Sequence, residues 1–264
     1  MMARVDHHSH ILDAEIVDMV AAAKANNIAE YSITEHVSQF RELRESVRFG
    51  SVHSKGRIFD SLKEYEDEFR KIDEEASGMK VNRGLEVDFS RRFETRVANF
   101  VNQEDWDILL CSVHEFEDGT DIERKLGRPA DQDSARRRWH EYFRAEQMAL
   151  ESDLVPFKVL AHPVRMARSI EAVPPDVDLV LLDLAKMARR RQKALELNGN
   201  DIVFAPQLVR MLAAACSKAG CRVSLGSDAH RPRDVFRNIE AAIQLVDEFK
   251  LELLSGANPH QQGT

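Results

Sequence analysis

The sequence predicts an α/β fold in which seven parallel strands, most of them followed by a helix, form a barrel. Apolar strand-like segments and amphipathic helix-like segments alternate along the whole chain, which indicates parallel strands joined by crossover helices. Side chains able to bind metals follow most of these strands, and a (β/α) barrel gathers the carboxyl ends of its strands around one site. The sequence has no GxGxxG or Walker-type loop, which disfavours an open nucleotide-binding sheet.

Composition favours one domain, residues 1–255, followed by a polar tail, residues 256–264. The chain has 264 residues, of which 43% are hydrophobic, and barrels of about 250 residues fold as single domains. Its formal net charge of -8 argues against a general nucleic-acid-binding surface. Cys111, Cys216 and Cys221 form no CxxC motif, and no secretory or transmembrane segment is recognisable. We therefore expect a cytoplasmic protein with no membrane partner; the sequence does not predict its oligomeric state.

The first half of the chain contains four predicted strands and three helices. In the first helix, Ile16, Val17 and Val20 recur at helical spacing, and Ser77-Gly78 stops the second helix. The predicted strands are Ala3–His7, Glu30–Thr34, Lys80–Leu85 and Trp106–Ser112, and the predicted helices are Ala14–Ala25, Leu62–Ala76 and Arg91–Val101.

The second half contains three predicted strands and four helices. Gly220 is placed to end a helix, and Gly226 ends the last strand. Residues 37–59 form a long polar connection that we predict to be a functional loop, because loops of that length are rarely simple spacers. Residues 115–133 form a second long polar loop. The predicted helices are Ser134–Leu150, Asp176–Ala188, Pro206–Ala219 and Val235–Phe249, and the strands are Phe157–Leu160, Ala194–Leu197 and Arg222–Leu225.

Histidine and acidic residues lie at the ends of six of the seven predicted strands. Nitrogen and oxygen ligands without cysteine suit Zn²⁺, Mn²⁺ or Fe²⁺ better than Mg²⁺ or Ca²⁺. Eight such ligands exceed the needs of one tetrahedral zinc, so we predict two or three divalent ions with Glu86 as the bridge. Such a pair of ions activates water and binds the oxygens of a phosphoryl or acyl group. The predicted ligands, in chain order, are His8, His10, His36, Glu86, His114, His162, Asp228 and His230.

Each of these residues also has a structural interpretation. A single histidine at a strand end is commonly just hydrogen-bonded, and Glu86 alone could cap a helix or form an ion pair. Agreement at six strand ends favours the metal site. The structural interpretation is retained for the remaining histidines, which are His7, His53, His140 and His260.

Five motifs, in order along the chain, resemble those of the PHP (polymerase and histidinol phosphatase) superfamily. The segment Leu195-Glu-Leu-Asn198 with Phe204-Ala-Pro-Gln-Leu208 is similar to its histidinol-phosphate phosphatase branch. The motifs are Asp6-His-His-Ser-His10, Ile33-Thr-Glu-His36, Gly84-Leu-Glu-Val-Asp88, Ser112-Val-His114 and Gly226-Ser-Asp-Ala-His-Arg-Pro232.

This resemblance implies a distorted (β/α)7 TIM-like barrel with a two- or three-metal site at the carboxyl ends of the strands. The family has a longer loop after the first histidine pair, carrying one more ligand. Here the chain runs almost directly into a helix, and Asp13, or less readily Glu15, is left to take that place. Asp13 is equally well explained as the N-cap of that helix.

A phosphorylated substrate would need cations near the metals. Arg165 and Arg168 follow His162, and Arg231 follows His230; we predict that these three arginines bind substrate, since arginine matches phosphate with a planar fork of donors. Arg233 and the loop arginines Arg41, Arg44 and Arg48 are further candidates. Any one of them could instead be a solvated surface charge.

The sequence thus predicts a metal-dependent phosphoesterase for a small phosphomonoester, most similar to histidinol-phosphate phosphatases. Asp228 and His230, with Glu86, are the predicted catalytic residues, Asp228 or a nearby histidine handling protons. The alternatives are a phosphatase for a nucleotide or sugar phosphate, a PHP module of the kind attached to DNA polymerases, and an amidohydrolase-like C–N hydrolase.

Overall fold

Seven parallel strands form one sheet in a computed structural model that describes residues 4–46, 56–72, 76–122, 131–170 and 172–254. The strands are hydrogen-bonded in chain order from the first to the seventh. They are β1 (Val5–Asp6), β2 (Glu30–His36), β3 (Lys80–Asp88), β4 (Ile108–Ser112), β5 (Val159–Leu160), β6 (Ala194–Asn198) and β7 (Val223–Gly226).

The sheet curls until its last strand meets its first. The backbone N–H of His7 donates to the carbonyl of Leu225, and that of Asp228 donates to the carbonyl of His8, both at 2.8 Å. Just beyond both strands, Ser9 and Ala229 form a parallel bridge. The result is the nearly closed (β/α)7 barrel that the sequence predicts, with the ends of β1 and β7 side by side.

The helices form the outer layer of the barrel. The side of α1 that faces the strands buries Ile16, Met19, Val20 and Ala23, in agreement with the predicted spacing. Gly220 ends α8 with φ of 64°, a left-handed conformation that glycine adopts without strain. The helices are α1 (Ile16–Ala25), α2 (Arg41–Ser46), α3 (Leu62–Phe69), α4 (Glu94–Val101), α5 (Gln132–Glu151), α6 (Val177–Arg190), α7 (Gly199–Phe204), α8 (Pro206–Ala219) and α9 (Ile239–Phe249).

The described parts of the first long connection, residues 37–46 and 56–59, pack against the barrel through aromatic side chains. Phe40 bridges to Phe59 by backbone pairing, and their rings stack with centroids 5.4 Å apart. Both rings meet the Tyr65 ring edge to face, at centroid distances of 5.5 and 5.2 Å. The Tyr65 hydroxyl donates to the carbonyls of Ile33 and Gly84 at 3.0 Å. This cluster ties the connection to the middle of β2 and β3, and so supports the strand ends that carry the site.

Several boundaries differ from the predicted ones. β2 and β3 continue to His36 and Asp88 because backbone pairing persists to these residues, so His36 and Glu86 lie within strands. The residues after Asn198 form α7, which the sequence did not predict; the Asn198 side chain accepts the N–H groups of Asn200 and Asp201 and caps it. The last helix begins at Ile239 rather than Val235.

Two further expectations concern the ends of the chain and the membrane. The predicted tail, residues 256–264, lies outside the described residues, and the single-domain boundary stays a prediction. Across the described segments, no helix is both long enough and apolar enough to cross a bilayer.

Candidate metal centre

Five imidazoles surround the buried carboxylate of Glu86 at the carboxyl end of the barrel. Oε1 lies 2.8 Å from His162 Nε2 and 3.5 Å from His114 Nε2. Oε2 lies 2.8 Å from His36 Nδ1, 3.3 Å from His8 Nε2 and 3.5 Å from His10 Nε2. The position of Glu86 between two sets of rings is the one that a bridging ligand requires.

Asp228 and His230 complete the cluster from the β7 side. Asp228 Oδ1 lies 3.4 Å from His10 Nε2 and 3.8 Å from His8 Nε2. The His230 ring stacks on the His10 ring with centroids 4.4 Å apart. His230 is 29% exposed whereas His8 and His10 are fully buried, so the site meets solvent beside His230.

Among the described residues, four groups of three side chains offer ligand atoms within 4.8 Å of one another. All eight predicted strand-end ligands occur in these groups, and Asp88 joins them. The groups are His8, His10 and Asp228; His10, His36 and His230; Glu86, His114 and His162; and His36, Asp88 and His114.

Three of these imidazole rings also have a second carboxylate next to their Nδ1 atom. Glu196 Oε1 lies 2.9 Å from His8 Nδ1, Glu35 Oε1 lies 3.4 Å from His10 Nδ1, and Asp88 Oδ1 makes a very short contact with His114 Nδ1. In each case the other ring nitrogen faces Glu86. Outer carboxylates that hold the far nitrogen of a histidine are a common feature of metal sites.

The pKa values reflect this concentration of opposite charges. Burial disfavours the charge of Glu86, but the imidazoles of His36 and His8 outweigh it and hold its pKa well below the usual range. Burial likewise opposes the charge of Asp228, yet Arg165 and His8 keep its pKa well below the usual range. Burial lowers the pKa of His10, and hydrogen bonds to Asp228 and Glu35 more than offset this, so its pKa rises to about 9. The carboxylates of the centre thus favour positive charge beside them, on an imidazole or on a bound cation.

The arrangement of acceptors fits metal ions. His8 Nε2 and His10 Nε2 face each other at 3.1 Å. When these rings are neutral with Nδ1 protonated, both Nε2 lone pairs point into one space, together with Oε2 of Glu86. That oxygen is buried and accepts no hydrogen bond among the described residues. Converging acceptors are stable only around cations, and nitrogen and oxygen donors of this kind suit zinc, manganese or iron.

Two site residues have a left-handed backbone that is unfavourable for residues other than glycine. His162 has φ of 33° and Asp228 has φ of 56°. The His162 carbonyl accepts from the hydroxyl of Tyr142 at 3.1 Å, and its N–H donates to Glu196 at 2.8 Å. Strained conformations persist where the surroundings fix them and are concentrated at functional sites, which agrees with a site role for both residues.

The three predicted substrate-binding arginines have different surroundings. Arg165 is buried, with one terminal nitrogen 2.6 Å from Asp228 Oδ2 and Nε donating to Asp201 at 2.7 Å. Arg168 is exposed and lies over the Phe204 ring. Arg231 is exposed directly after His230. Arg165 therefore directly contacts the candidate ligand Asp228. Its role in substrate binding stays a prediction, as do those of Arg168 and Arg231.

Asp13 is not brought to the centre. It is exposed in a turn and belongs to none of the four candidate groups found among the described residues. It is not the N-cap of α1 either, because that position is occupied by Glu15, whose side chain makes no capping hydrogen bond. The structure therefore leaves Asp13 in an exposed turn and not among the clustered side chains, in contrast to the expectation that it takes the place of the further ligand.

The other histidines agree with their structural interpretation where they are described. His7 is buried away from the centre, with Nδ1 3.2 Å from the Ser224 hydroxyl. His140 lies on α5, 3.7 Å from Asp176. His53, His260 and the loop residue Arg48 lie outside the described residues.

Sequence reasoning missed the roles of Glu35, Asp88 and Glu196. Asp88 lies two residues after Glu86, and Glu196 lies two residues before Asn198, so each shares a strand face with another inward polar side chain. An acidic residue two positions from another polar residue, within an apolar strand, was the sequence signal that could have identified Asp88 and Glu196. Glu35 had no such signal, because it precedes His36 directly and alternation predicts the opposite face.

Comparisons with known proteins give a family match and similar folds. The PHP domain matches residues 7–200. A comparison with curated protein sequences finds no match. Among solved structures, histidinol phosphate phosphatase HisK from Lactococcus lactis, complexed with zinc, L-histidinol and phosphate, is similar with a TM-score of 0.79, 21% identity and 97% of each chain covered. A candidate histidinol phosphatase HisK from Listeria monocytogenes has a TM-score of 0.74 and 19% identity, over 90% of this chain and 99% of that one. The chain belongs to the PHP domain family.

Proposed function

We propose that this protein is a metal-dependent phosphatase that hydrolyses a small phosphomonoester, with histidinol phosphate as the first substrate to test. The observation that carries the proposal is the position of Glu86, whose two oxygens lie within 3.5 Å of five imidazole nitrogens. A carboxylate in that position suits a bridge between two metal ions about 3.5–4 Å apart.

The metal complement is proposed to be two or three divalent ions of zinc, manganese or iron. When bound, such ions lower the pKa of water toward neutrality and bind phosphoryl oxygens. The residues that would hold them come from six strands, which fixes their relative positions through the barrel. They are His8, His10, His36, Glu86, His114, His162, Asp228 and His230.

Arg165 is proposed to bind the phosphate. The Arg165 guanidinium reaches Asp228 with one terminal nitrogen, while Asp201 holds its Nε, so its orientation is set before substrate binds. A fixed guanidinium can contact phosphate with little loss of side-chain freedom. Arg168 and Arg231, both exposed, are proposed to contact the substrate further from the metal centre. Asp228 or His230 is proposed to carry the proton to or from the reacting groups.

The similarity to the Lactococcus HisK structure, which holds zinc, L-histidinol and phosphate, supports this substrate class. It does so through the fold, over 97% of both chains. A nucleotide or sugar phosphate remains the alternative substrate, because the same barrel serves many substrates through changes in its loops.

The test combines elemental analysis with a substrate screen. Protein purified without chelator should carry at least two transition-metal ions per chain and release inorganic phosphate from histidinol phosphate faster than from nucleotides or sugar phosphates. Release of ammonia from amide substrates without phosphatase activity would favour the C–N hydrolase. Full phosphatase activity in metal-free protein would refute the proposal.

A further inference from the structure

Glu196 is a buried carboxylate on β6 that contacts two candidate ligands from different strands. Its Oε1 lies 2.9 Å from His8 Nδ1 and its Oε2 accepts from the backbone N–H of His162 at 2.8 Å. An ionised carboxylate only accepts hydrogen bonds, so its contact with His8 places a proton on Nδ1. The Nε2 atom of a neutral His8 is then a lone pair, and it faces Glu86 and Asp228.

Gly226 makes this contact possible. It lies on β7, between the strand of Glu196 and the strand of His8. A Cβ atom at Gly226 would lie 2.0 Å from Glu196 Oε1 and 2.4 Å from His8 Cβ. The space that any other residue would fill is therefore used by the Glu196 carboxylate, which reaches across the intervening strand to the His8 ring.

The second contact of Glu196 acts on a strained backbone. His162 has φ of 33°, and its N–H group points to Glu196 while its carbonyl accepts from Tyr142. In this conformation the His162 ring places Nε2 2.8 Å from Glu86 Oε1. Loss of the carboxylate would remove one of the restraints that keep His162 out of the commoner backbone regions.

We infer that Glu196 is the positioning residue of the metal centre: it fixes His8 as the Nδ1-protonated tautomer and holds His162 in its left-handed conformation. Both rings then present Nε2 to the space around Glu86. The inference rests on the proposed function only in that this centre binds divalent metal. Outer partners of this kind contribute about 10- to 100-fold in metal affinity.

Zinc binding to metal-depleted protein tests the inference without any substrate. The variants are Glu196→Gln and Glu196→Ala, with Glu68→Gln as the matched control. Glu68 is another buried glutamate; it lies on α3 and pairs with Arg57 and Lys71 rather than with a candidate ligand. In competition with a chelating dye, both Glu196 variants should bind Zn²⁺ about 10- to 100-fold more weakly, and Glu68→Gln should match wild type. Wild-type affinity in folded Glu196 variants would overturn the inference, whatever the enzyme hydrolyses.

A second measurement needs no substitution. In zinc-loaded wild type with ¹⁵N-labelled histidine, long-range ¹H–¹⁵N correlations report which ring nitrogen carries the proton. His8 can be assigned from its nuclear Overhauser contacts with Gly226, and its Nδ1 should be protonated. A proton on His8 Nε2, or none on Nδ1, would overturn the inference even if the Glu196 variants failed to fold.

Discussion

Arg165 and Asp228 form a buried ion pair at the edge of the metal centre, with a terminal nitrogen of Arg165 2.6 Å from Asp228 Oδ2. Both side chains are 4% exposed. Asp201 binds the Nε of the same guanidinium at 2.7 Å, and Asn198 accepts from its terminal nitrogen at 3.2 Å. Arg165 is therefore held against a candidate ligand rather than extended into solvent, and this determines what its removal should do.

Arg165→Ala should lower kcat/KM for a phosphomonoester by about tenfold to a thousandfold, the range for losing a charge-assisted contact of about 1.5–3 kcal/mol that tightens in the transition state. Steady-state kinetics on histidinol phosphate and on a neutral ester measure the effect. Arg168→Ala is the comparison, because Arg168 is exposed and should matter less. Equal losses on both esters would show that Arg165 does not recognise the phosphate.

Glu86→Gln should preserve the fold but remove a negative charge from among five imidazoles. We expect loss of at least one metal ion per chain and a fall in turnover of about a hundredfold or more, since the amide bridges cations poorly. Elemental analysis and kinetics on the same preparation measure the two effects. Normal turnover at unchanged metal occupancy would leave Glu86 with a structural role only.

The cluster of candidate ligands was predictable because each of its residues follows, or lies within, an apolar strand whose length and alternation are visible in the sequence. His8, His36 and Asp228 needed only that pattern and the barrel geometry to be placed together. The partners behind them were not predictable in the same way. The contact between Glu196 and His8 joins residues that are 188 positions apart, and it requires that residue 226 has no Cβ atom. Only the tertiary structure shows that these three residues meet.

For Asp13 the sequence predicted a contact with the metal centre that the structure does not contain. Its position along the chain suggested a ligand, but Asp13 lies in a turn in which its side chain is exposed. The extent of β2 and β3 was also underestimated, because pairing between neighbouring strands, rather than local propensity, carries them to His36 and Asp88.

Gly226→Ala should damage the metal centre although it adds a single methyl group. Its Cβ would lie 2.0 Å from Glu196 Oε1, so the carboxylate must leave His8. We expect weaker zinc binding, by at least about tenfold, measured by dye competition. Gly78→Ala is the control: its Cβ meets nothing within 4 Å, although φ is 82°, so it should cost about 1 kcal/mol in stability and leave zinc binding unchanged. Equal zinc affinity in both variants would contradict the expected crowding.

Glu146→Gln should stabilise the protein, and more so as pH rises. Glu146 is buried on α5, and burial raises the pKa of its carboxyl well above the usual range. Between the unfolded pKa near 4.5 and the higher folded value, the unfolded chain releases a proton that the folded protein keeps. Stability of the wild type therefore falls by about 1.4 kcal/mol per pH unit in that window, and the neutral amide removes this loss. Urea unfolding at pH 5 and pH 7.5 should show a larger gain at pH 7.5.

Glu68→Gln should behave oppositely: burial raises the pKa of Glu68, but hydrogen bonds from Arg57 and Lys71 outweigh this and lower it, so its charge stabilises the fold above the unfolded pKa. A gain from Glu146→Gln that is the same at both pH values would show that Glu146 is ionised in the folded protein.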